Sequence, residues 1–342
     1  MKAVFFEQHG GIEVLKYGDL PDPTPGPGEA LIKVRAVALN HLDIWVRRGW
    51  FGLRLNMPHI TGSDVVGEIV SVNADTVWEP GTRVMINPGI VTGEDEWTRR
   101  GEESISPGYK ILGENVRGGL AEYLVVPVAN VFKVPEGLKD EEAAAPLLVG
   151  TTCWRMLFKR AQVKPGEVVL VVGAGGGVNS LAISLAKAAG ATVYALASNA
   201  EKAKKALALG AEEVIDYTKN HNWHVDVMRV TKGRGADVVV DNVGAQTFAH
   251  SLRAVARGGR IVTVGNTSGA DIRYDNRLIF TKQVSILGST MGSRQDFIDA
   301  MNFLWRNEIK TPIDRVESLK DGIKMISYLE EGRQFGKVVL KP

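Results

Sequence analysis

The chain has 342 residues, 44% of them apolar and 23% charged; that is too long for one ordinary core and predicts two domains of a soluble globular protein. A formal charge of +2 with no basic tail or Arg-rich strip excludes nucleic acid as a favoured partner. A single cysteine, Cys153, excludes an internal disulfide and a thiolate cluster for metal.

The N-terminal MKAVFFEQHGG has no long apolar segment and no cleavage site, and no apolar run is long enough to span a bilayer. A cytoplasmic protein with no membrane partner is therefore expected. The first third reads as β-structure. KAVFFEQ, ALIKVRAVAL, VVGEIVSV, RVMIN and AEYLVVP are rich in β-branched and aromatic residues, and Gly/Pro punctuation such as PDPTPGPGE separates them. Between two of these strands, GIVTGEDEWTRRGEESISP (89–107) shows neither strand alternation nor helical spacing. So long a structureless stretch inside an ordered chain is usually functional or disordered.

From Lys164 the texture changes. EVVLVVG is a continuous apolar strand, and VNSLAISLAKAAG a helix ending on Gly190. ATVYALA, EVIDY, ADVVVDNVG and RIVTVG read as further strands. AEKAKKALALG, HVDVMRVTKG and QTFAHSLRAVARGG read as the helices between them. This alternation predicts a parallel sheet covered on both faces. VSILGST is a last strand of that series, RQDFIDAMNFLWRNE and SLKDGIKMISYLEEG are amphipathic helices, and GKVVL closes the chain as a strand.

The turn in VVLVVGAGGGV carries the first chemical signal. Gly173, Gly175, Gly176 and Gly177, followed by Val178, stand between a strand and a helix. Glycines let the backbone turn tightly and approach a pyrophosphate, and the helix N-terminus offers free N–H groups and a positive dipole end. The turn opens the first of several βα units, which is the setting the motif requires. Asn179 stands where the third fingerprint glycine normally falls; it either loosens helix–strand packing or aims its amide at the cofactor. An NAD site usually carries an acid at the end of the second strand. Here VYALASNAEK has no carboxylate before Glu201, whereas Ser198 and Lys202 can bind a 2′-phosphate and Tyr217 can close the pocket. NADP(H) is favoured over NAD(H). DNVG and VGNTSG end two parallel strands, so Asn242, Gly244, Gly265 and Asn266 are expected along the ribose and nicotinamide.

Taken together, GPGEALIKVRAVALNHLDIWVRRG, PHITGSDVVGEIVSV, GGLAEYLVVP, EEAAAPLLVGTTCW, KPGEVVLVVGAGGGV, GADVVVDNVG and ILGSTMGSR resemble the medium-chain dehydrogenase/reductase superfamily over nearly the full length. The best match is its quinone oxidoreductase and zinc-type alcohol dehydrogenase-like branch. The resemblance implies an α/β fold. A doubly wound Rossmann domain (149–289) would bind the cofactor, and a chaperonin-10-like (GroES-like) β domain would comprise 1–148 and 290–342, with the active site in the cleft. Thr152 and Lys337 fall on family cofactor positions. The catalytic zinc ligands of the family fall on Asn40, Ser63 and Leu148, with Asp64 beside them, and its alcohol proton relay on Leu42. Those residue types do not make a zinc cage. Its structural zinc cysteines fall near Thr92, Asp95, Thr98 and Ser106, so 89–107 would be a metal-free remnant of that lobe or a flexible loop. No zinc is expected.

Without a metal, a ketone or conjugated enone must be polarised by hydrogen-bond donors. Asn40 can donate to a substrate oxygen or fix the nicotinamide, or it can simply stabilise a turn. His41 can give a proton, although the corresponding family position often contacts the cofactor pyrophosphate. Asp43 can orient His41 or the ribose, or cap a helix. Trp45 and Trp50 would shape an apolar pocket, Tyr109 would reach the cleft as an acid or anchor the lobe, and His59 and Asp64 are weaker candidates. No hydrolase signature such as GxSxG or HExxH is present. Three functions follow: a zinc-independent NADPH-dependent reductase of ketones, aldehydes or quinones; an enone or enoyl C=C reductase; and a silent NADPH-binding sensor. The small-molecule substrate would be a carbonyl, quinone or enone. A homodimer or homotetramer is expected, with VSILGST extending the sheet across a two-fold axis.

Overall fold

The computed structural model describes the whole chain, Met1–Pro342. Strands β1 (Lys2–Phe5), β2 (Lys16–Asp19) and β3 (Glu29–Ala38) lead to helix α1 (His41–Arg48). Then come β4 (Asp64–Asn73), β5 (Arg83–Ile86), β6 (Gly89–Val91), β7 (Tyr109–Ile111), β8 (Tyr123–Pro127) and β9 (Val131–Lys133), followed by α2 (Asp140–Ala144) and α3 (Leu147–Trp154). The next stretch alternates: β10 (Val168–Val172), α4 (Gly177–Ala188), β11 (Thr192–Ala197), α5 (Ala200–Ala208), β12 (Glu213–Asp216), α6 (His224–Val230), β13 (Ala236–Asp241), α7 (Phe248–Ala254), β14 (Val255–Thr263), α8 (Arg277–Lys282) and β15 (Ser285–Gly288). Helix α9 (Arg294–Arg306), β16 (Ile313–Ser318), α10 (Gly322–Glu330) and β17 (Lys337–Lys341) complete the chain.

Two compact units result. One comprises Met1–Thr151, Gly292–Asn302 and Lys310–Pro342; the other comprises Thr152–Met291 and Phe303–Ile309. The second unit is a six-stranded sheet in the order β12-β11-β10-β13-β14-β15, and every neighbouring pair is parallel. This is the doubly wound order in which the first strand of the series lies centrally, and its ligand crevice opens at the carboxyl ends of the strands. Val169, Leu170, Val171 and Val172 are all buried, so β10 shows no alternation because helices cover both faces. Full burial of each such side chain is worth about 1.5–3 kcal/mol.

The first unit is built on an antiparallel β-structure whose seven-stranded sheet runs β16-β17-β3-β4-β5-β9, with β8 also on β3. Its one parallel pair is β16 with β17. β3 alternates while β8 covers Glu29–Lys33, then is buried continuously over Ala36–Ala38, where β17 and β4 flank it. Ile32, Ile44, Ile69, Ile86, Leu120 and Val338 share the core of this unit.

Two sequence expectations change in detail. The helix expected through QTFAHSLRAVARGG stops at Ala254, and β14 takes over at Val255. Gly259 allows this: a Cβ there would meet the Asp237 and Ala256 carbonyls at 3.0 Å each. The 89–107 stretch is ordered between β6 and β7, which pair with one another. Asp95 organises it. Its Oδ1 accepts the N–H groups of Trp97 and Thr98, and its Oδ2 accepts the Ser106 hydroxyl at 2.7 Å. Asp95 N–H donates to Thr98 Oγ1 at 2.8 Å, Gly108 N–H donates to Ser106 Oγ, and Thr92 Oγ1 donates to Gly108 O. The four positions at which the family resemblance put metal ligands are thus part of a hydrogen-bonded set. Tyr109 anchors the lobe by donating from its hydroxyl to Gly292 O.

Candidate functional site

In the Rossmann unit, the turn after β10 has the features a dinucleotide needs. Gly173 has φ +83°, a conformation that glycine adopts without strain. Gly176 caps α4 without a side chain, and a Cβ built on it meets nothing within 4 Å. The N–H groups of Gly177 and Val178 open a twelve-residue helix at the carboxyl end of the sheet. Lys202 lies over the same turn: its Nζ is 3.3 Å from where a Gly175 Cβ would stand. The Lys202 backbone is fixed by donating to the Asn199 side chain, the N-cap of α5. Half-buried Ser198 follows β11 and exposed Tyr217 follows β12, so both lie at that end of the sheet. This backbone cradle fits a dinucleotide.

Asn179 neither loosens the turn nor reaches out of it. Its Nδ2 donates to Val172 O at 2.7 Å and Gly173 O at 2.9 Å, and its Oδ1 accepts from Asn242 Nδ2 at 2.7 Å. Asn242 Oδ1 in turn accepts the Val264 N–H. Two asparagines therefore staple the ends of β10, β13 and β14, and the Asn242 side chain is largely spent on protein partners. Gly244 has φ +93°, and a Cβ there would stand 2.8 Å from Gly269 O and 3.2 Å from Asn266. Gly265 and exposed Asn266 lie on that second loop, where Gly265 O accepts the Thr263 hydroxyl. Thr152 is buried in the same unit, with its hydroxyl toward Met291 Sδ at 3.8 Å. Cys153 is buried and donates to Val178 O, and burial pushes its thiol well above the usual range, so it is inert.

The β unit holds the three residues expected to act on substrate. Asn40 is the N-cap of α1. Its N–H donates to Asp43 Oδ2 at 2.7 Å, while Asp43 Oδ1 accepts the Gly62 N–H at 2.8 Å. Asp43 is thus a helix-capping and loop-fixing carboxylate. Burial pushes it up to about 6, against the two N–H groups that favour its charge. The half-buried His41 ring stacks edge-on against Trp45, its centroid 4.9 Å away, and burial lowers its pKa. His59 is buried, with Nε2 3.2 Å from Gly113 O, and burial brings its pKa down to about 4; it is a neutral structural imidazole. Trp50 is 45% exposed.

The Asn40 side chain points into a cluster that sequence reasoning did not assemble. Its Nδ2 donates to Asp64 Oδ2 at 2.9 Å, and its Oδ1 accepts from Lys337 Nζ at 2.5 Å. Lys337 Nζ also lies 2.8 Å from Asp64 Oδ2, and the Leu148 N–H donates to Asp64 Oδ1 at 2.6 Å. Asp64 is fully buried and Lys337 is 1% exposed. Burial raises the Asp64 pKa, opposed by Lys337, Asn40 and Leu148. Lys337 lies in the β unit, where its amine donates to Asn40 and Asp64. The three residues are far apart in the chain, and no local pattern links them.

Residues 26–136 match the alcohol dehydrogenase GroES-like domain family, and 177–306 match the zinc-binding dehydrogenase family. An NAD-dependent alcohol dehydrogenase of Sulfurisphaera tokodaii is 32% identical, with 96% of each chain covered. The protein belongs to the medium-chain dehydrogenase/reductase superfamily. Like those relatives, this dehydrogenase is an NAD(P)-dependent oxidoreductase. An acryloyl-coenzyme A reductase of Metallosphaera sedula is 33% identical, with 99% of each chain covered. The crystal structure of an NAD-dependent alcohol dehydrogenase superposes with a TM-score of 0.95 at 42% identity, covering all of both chains.

The second family description raises the question of zinc. No group of three or more His, Cys, Asp or Glu side chains in this dehydrogenase is arranged to hold a metal ion. At the expected ligand positions stand an amide, a hydroxyl and an aliphatic side chain, and the adjacent carboxylate is occupied by an ammonium ion. This donor set does not fit zinc.

Proposed function

We propose that this dehydrogenase is a zinc-independent reductase that uses NADP(H) to reduce a small carbonyl or quinone substrate. The observation that carries the reading is the Asn40–Asp64–Lys337 cluster, which puts hydrogen-bond donors and a lysine where metal ligands would be needed. When bound, the nicotinamide supplies hydride. The chain's part is to bind, orient and polarise. The N–H groups of Gly177 and Val178 at the start of α4 bind the pyrophosphate. Gly175 and Gly176 leave room for its approach, and Gly244, Gly265 and Asn266 lie along the nicotinamide half. Asn40, held by Asp64 and Lys337, orients the substrate oxygen. His41 and Asp43 complete the set, His41 as a neutral imidazole beside the cofactor and Asp43 through the shape of α1. NADP(H) is preferred because no carboxylate follows β11 before Glu201, while Lys202 reaches over Gly175 with Ser198 and Tyr217 nearby. Several relatives are named as NAD-dependent, which makes the preference a direct test. In fluorescence titrations, NADPH is expected to bind about tenfold more tightly than NADH, and Lys202→Ala to abolish the difference. Equal binding by the wild type would overturn the preference.

A second reading is supported by the acryloyl-coenzyme A reductase relative: reduction of a C=C bond conjugated to a carbonyl. It uses the same donors on the same oxygen. Turnover of metal-stripped protein with quinones, cyclic ketones and enones separates the two, and tight NADPH binding without turnover would favour a cofactor sensor. We further propose a cytoplasmic homodimer or homotetramer. The edge strand β15, with Ile286 exposed, leaves its outer backbone groups for a second copy. Light scattering checks it.

A further inference from the structure

Lys337 is 1% exposed in the β unit, and its hydrogen bonds are incomplete. An ammonium has three N–H donors. One goes to Asn40 Oδ1 at 2.5 Å and one to Asp64 Oδ2 at 2.8 Å; the third has no protein acceptor. Asn40 Nδ2 has two N–H donors, one well used on Asp64 and the other only 3.4 Å from Ala38 O. The neighbouring Ser63 is wholly buried, and its hydroxyl has no partner. A buried polar group left unsatisfied costs about 1–3 kcal/mol, so such groups normally have a ligand or a water. Here the unspent groups are chiefly donors: Asp64 already accepts from Lys337, Asn40 and the Leu148 N–H, and the nearby Asp43 carboxylate accepts from the Asn40 and Gly62 N–H groups. An oxygen acceptor is what this cluster lacks.

We propose that Lys337, together with Asn40, is the oxygen-binding donor pair of the reaction, holding the substrate carbonyl oxygen as it gains negative charge. This rests on the reductase reading and deepens it. Asp64 is then a positioning residue: it accepts from both donors and holds them in place. The pair Asp64/Lys337 has no net charge, so its effect is directional, exerted through the free N–H, and differs from the general Lewis-acid field of a dication.

The obvious variant, Lys337→Met, leaves Asp64 buried without its counter-ion and is expected to unfold more easily. The double variant Asp64→Asn/Lys337→Met removes both charges and restores a neutral, packed site. If Lys337 binds the reacting oxygen, kcat falls about a hundredfold in both variants while the NADPH Kd is unchanged. Recovery of kcat in the double variant to within threefold of wild type would reduce Lys337 to a counter-ion for Asp64 and overturn the proposal. A tenfold rise in NADPH Kd with unchanged kcat would overturn it in favour of cofactor contact. Acetate, an unreactive oxygen acceptor, provides a readout without turnover. It is expected to bind NADPH-loaded wild type at least tenfold more tightly than the double variant, and equal or undetectable binding to both overturns the proposal. A wild type that binds acetate but turns over no substrate refutes the reductase reading and leaves the donor pair standing.

Discussion

The glycine turn after β10 and the polar cluster around Asn40 are both sites of concentrated chemistry, but they are specified in opposite ways. The turn is a contiguous segment whose function follows from backbone freedom and a helix end. The cluster is assembled from residues 40, 64, 148 and 337, brought together by β3, β4, α3 and β17. A local motif survives most changes elsewhere in the chain. An assembled cluster depends on burial, and burial also sets the ionisation of its members.

The strongest way to break this comparison is through pH. In the β unit the folded pKa of Asp43 is about 6, above its unfolded 3.8. The native state therefore binds more protons between those values, and this contribution to stability is lost as pH rises through about 6. His59 has a folded pKa of about 4, below its unfolded 6.5, so its contribution is lost as pH falls through that window. Each amounts to about 3 kcal/mol at most, with opposite sign. Urea unfolding between pH 4 and 6.5 is expected to show a nearly flat profile for these two groups in the wild type. Asp43→Asn should expose a stability that rises with pH, and His59→Gln one that falls. Parallel profiles for the two variants would mean that burial does not control these groups.

A smaller effect tests the local side. Asn179→Gly restores the fingerprint glycine yet removes bonds to Val172 O, Gly173 O and Asn242. It is expected to cost about 2–3 kcal/mol, since each bond is worth about 0.5–1.5 kcal/mol and a helical glycine adds to the loss. Thermal unfolding checks it, and a neutral or stabilising result would show that the turn does not need its staple. The smallest global effect is expected from Asp95→Ala. This change should leave the melting temperature nearly unchanged while speeding proteolysis within 93–107. Asp95 is held ionised by the Thr98 N–H and the Ser106 hydroxyl, so acidification should loosen the same lobe.

The sheet series after Lys164, the glycine turn and the β texture of the first third were readable because period and punctuation are local properties of a chain. The residue types at the positions where the family resemblance puts metal ligands (Asn40, Ser63 and Leu148) are likewise read directly from the chain. The sequence leaves 89–107 open between a remnant lobe and a flexible loop, since its order comes from one carboxylate bonded across eleven residues to Ser106. The end of α7 was missed because Gly259 is selected by the neighbouring Asp237 carbonyl, a contact that helical propensity does not record.

The sequence by itself thus determined the superfamily and the parallel nucleotide-binding sheet, because each follows from residue type and spacing. Only the tertiary structure decided that Asp43 caps a helix and fixes Gly62, that Asn179 is a staple, and that Lys337 meets Asn40 and Asp64. Those roles depend on which donors and acceptors are enclosed together away from water, and a buried polar group takes its partners from whatever the fold brings within reach.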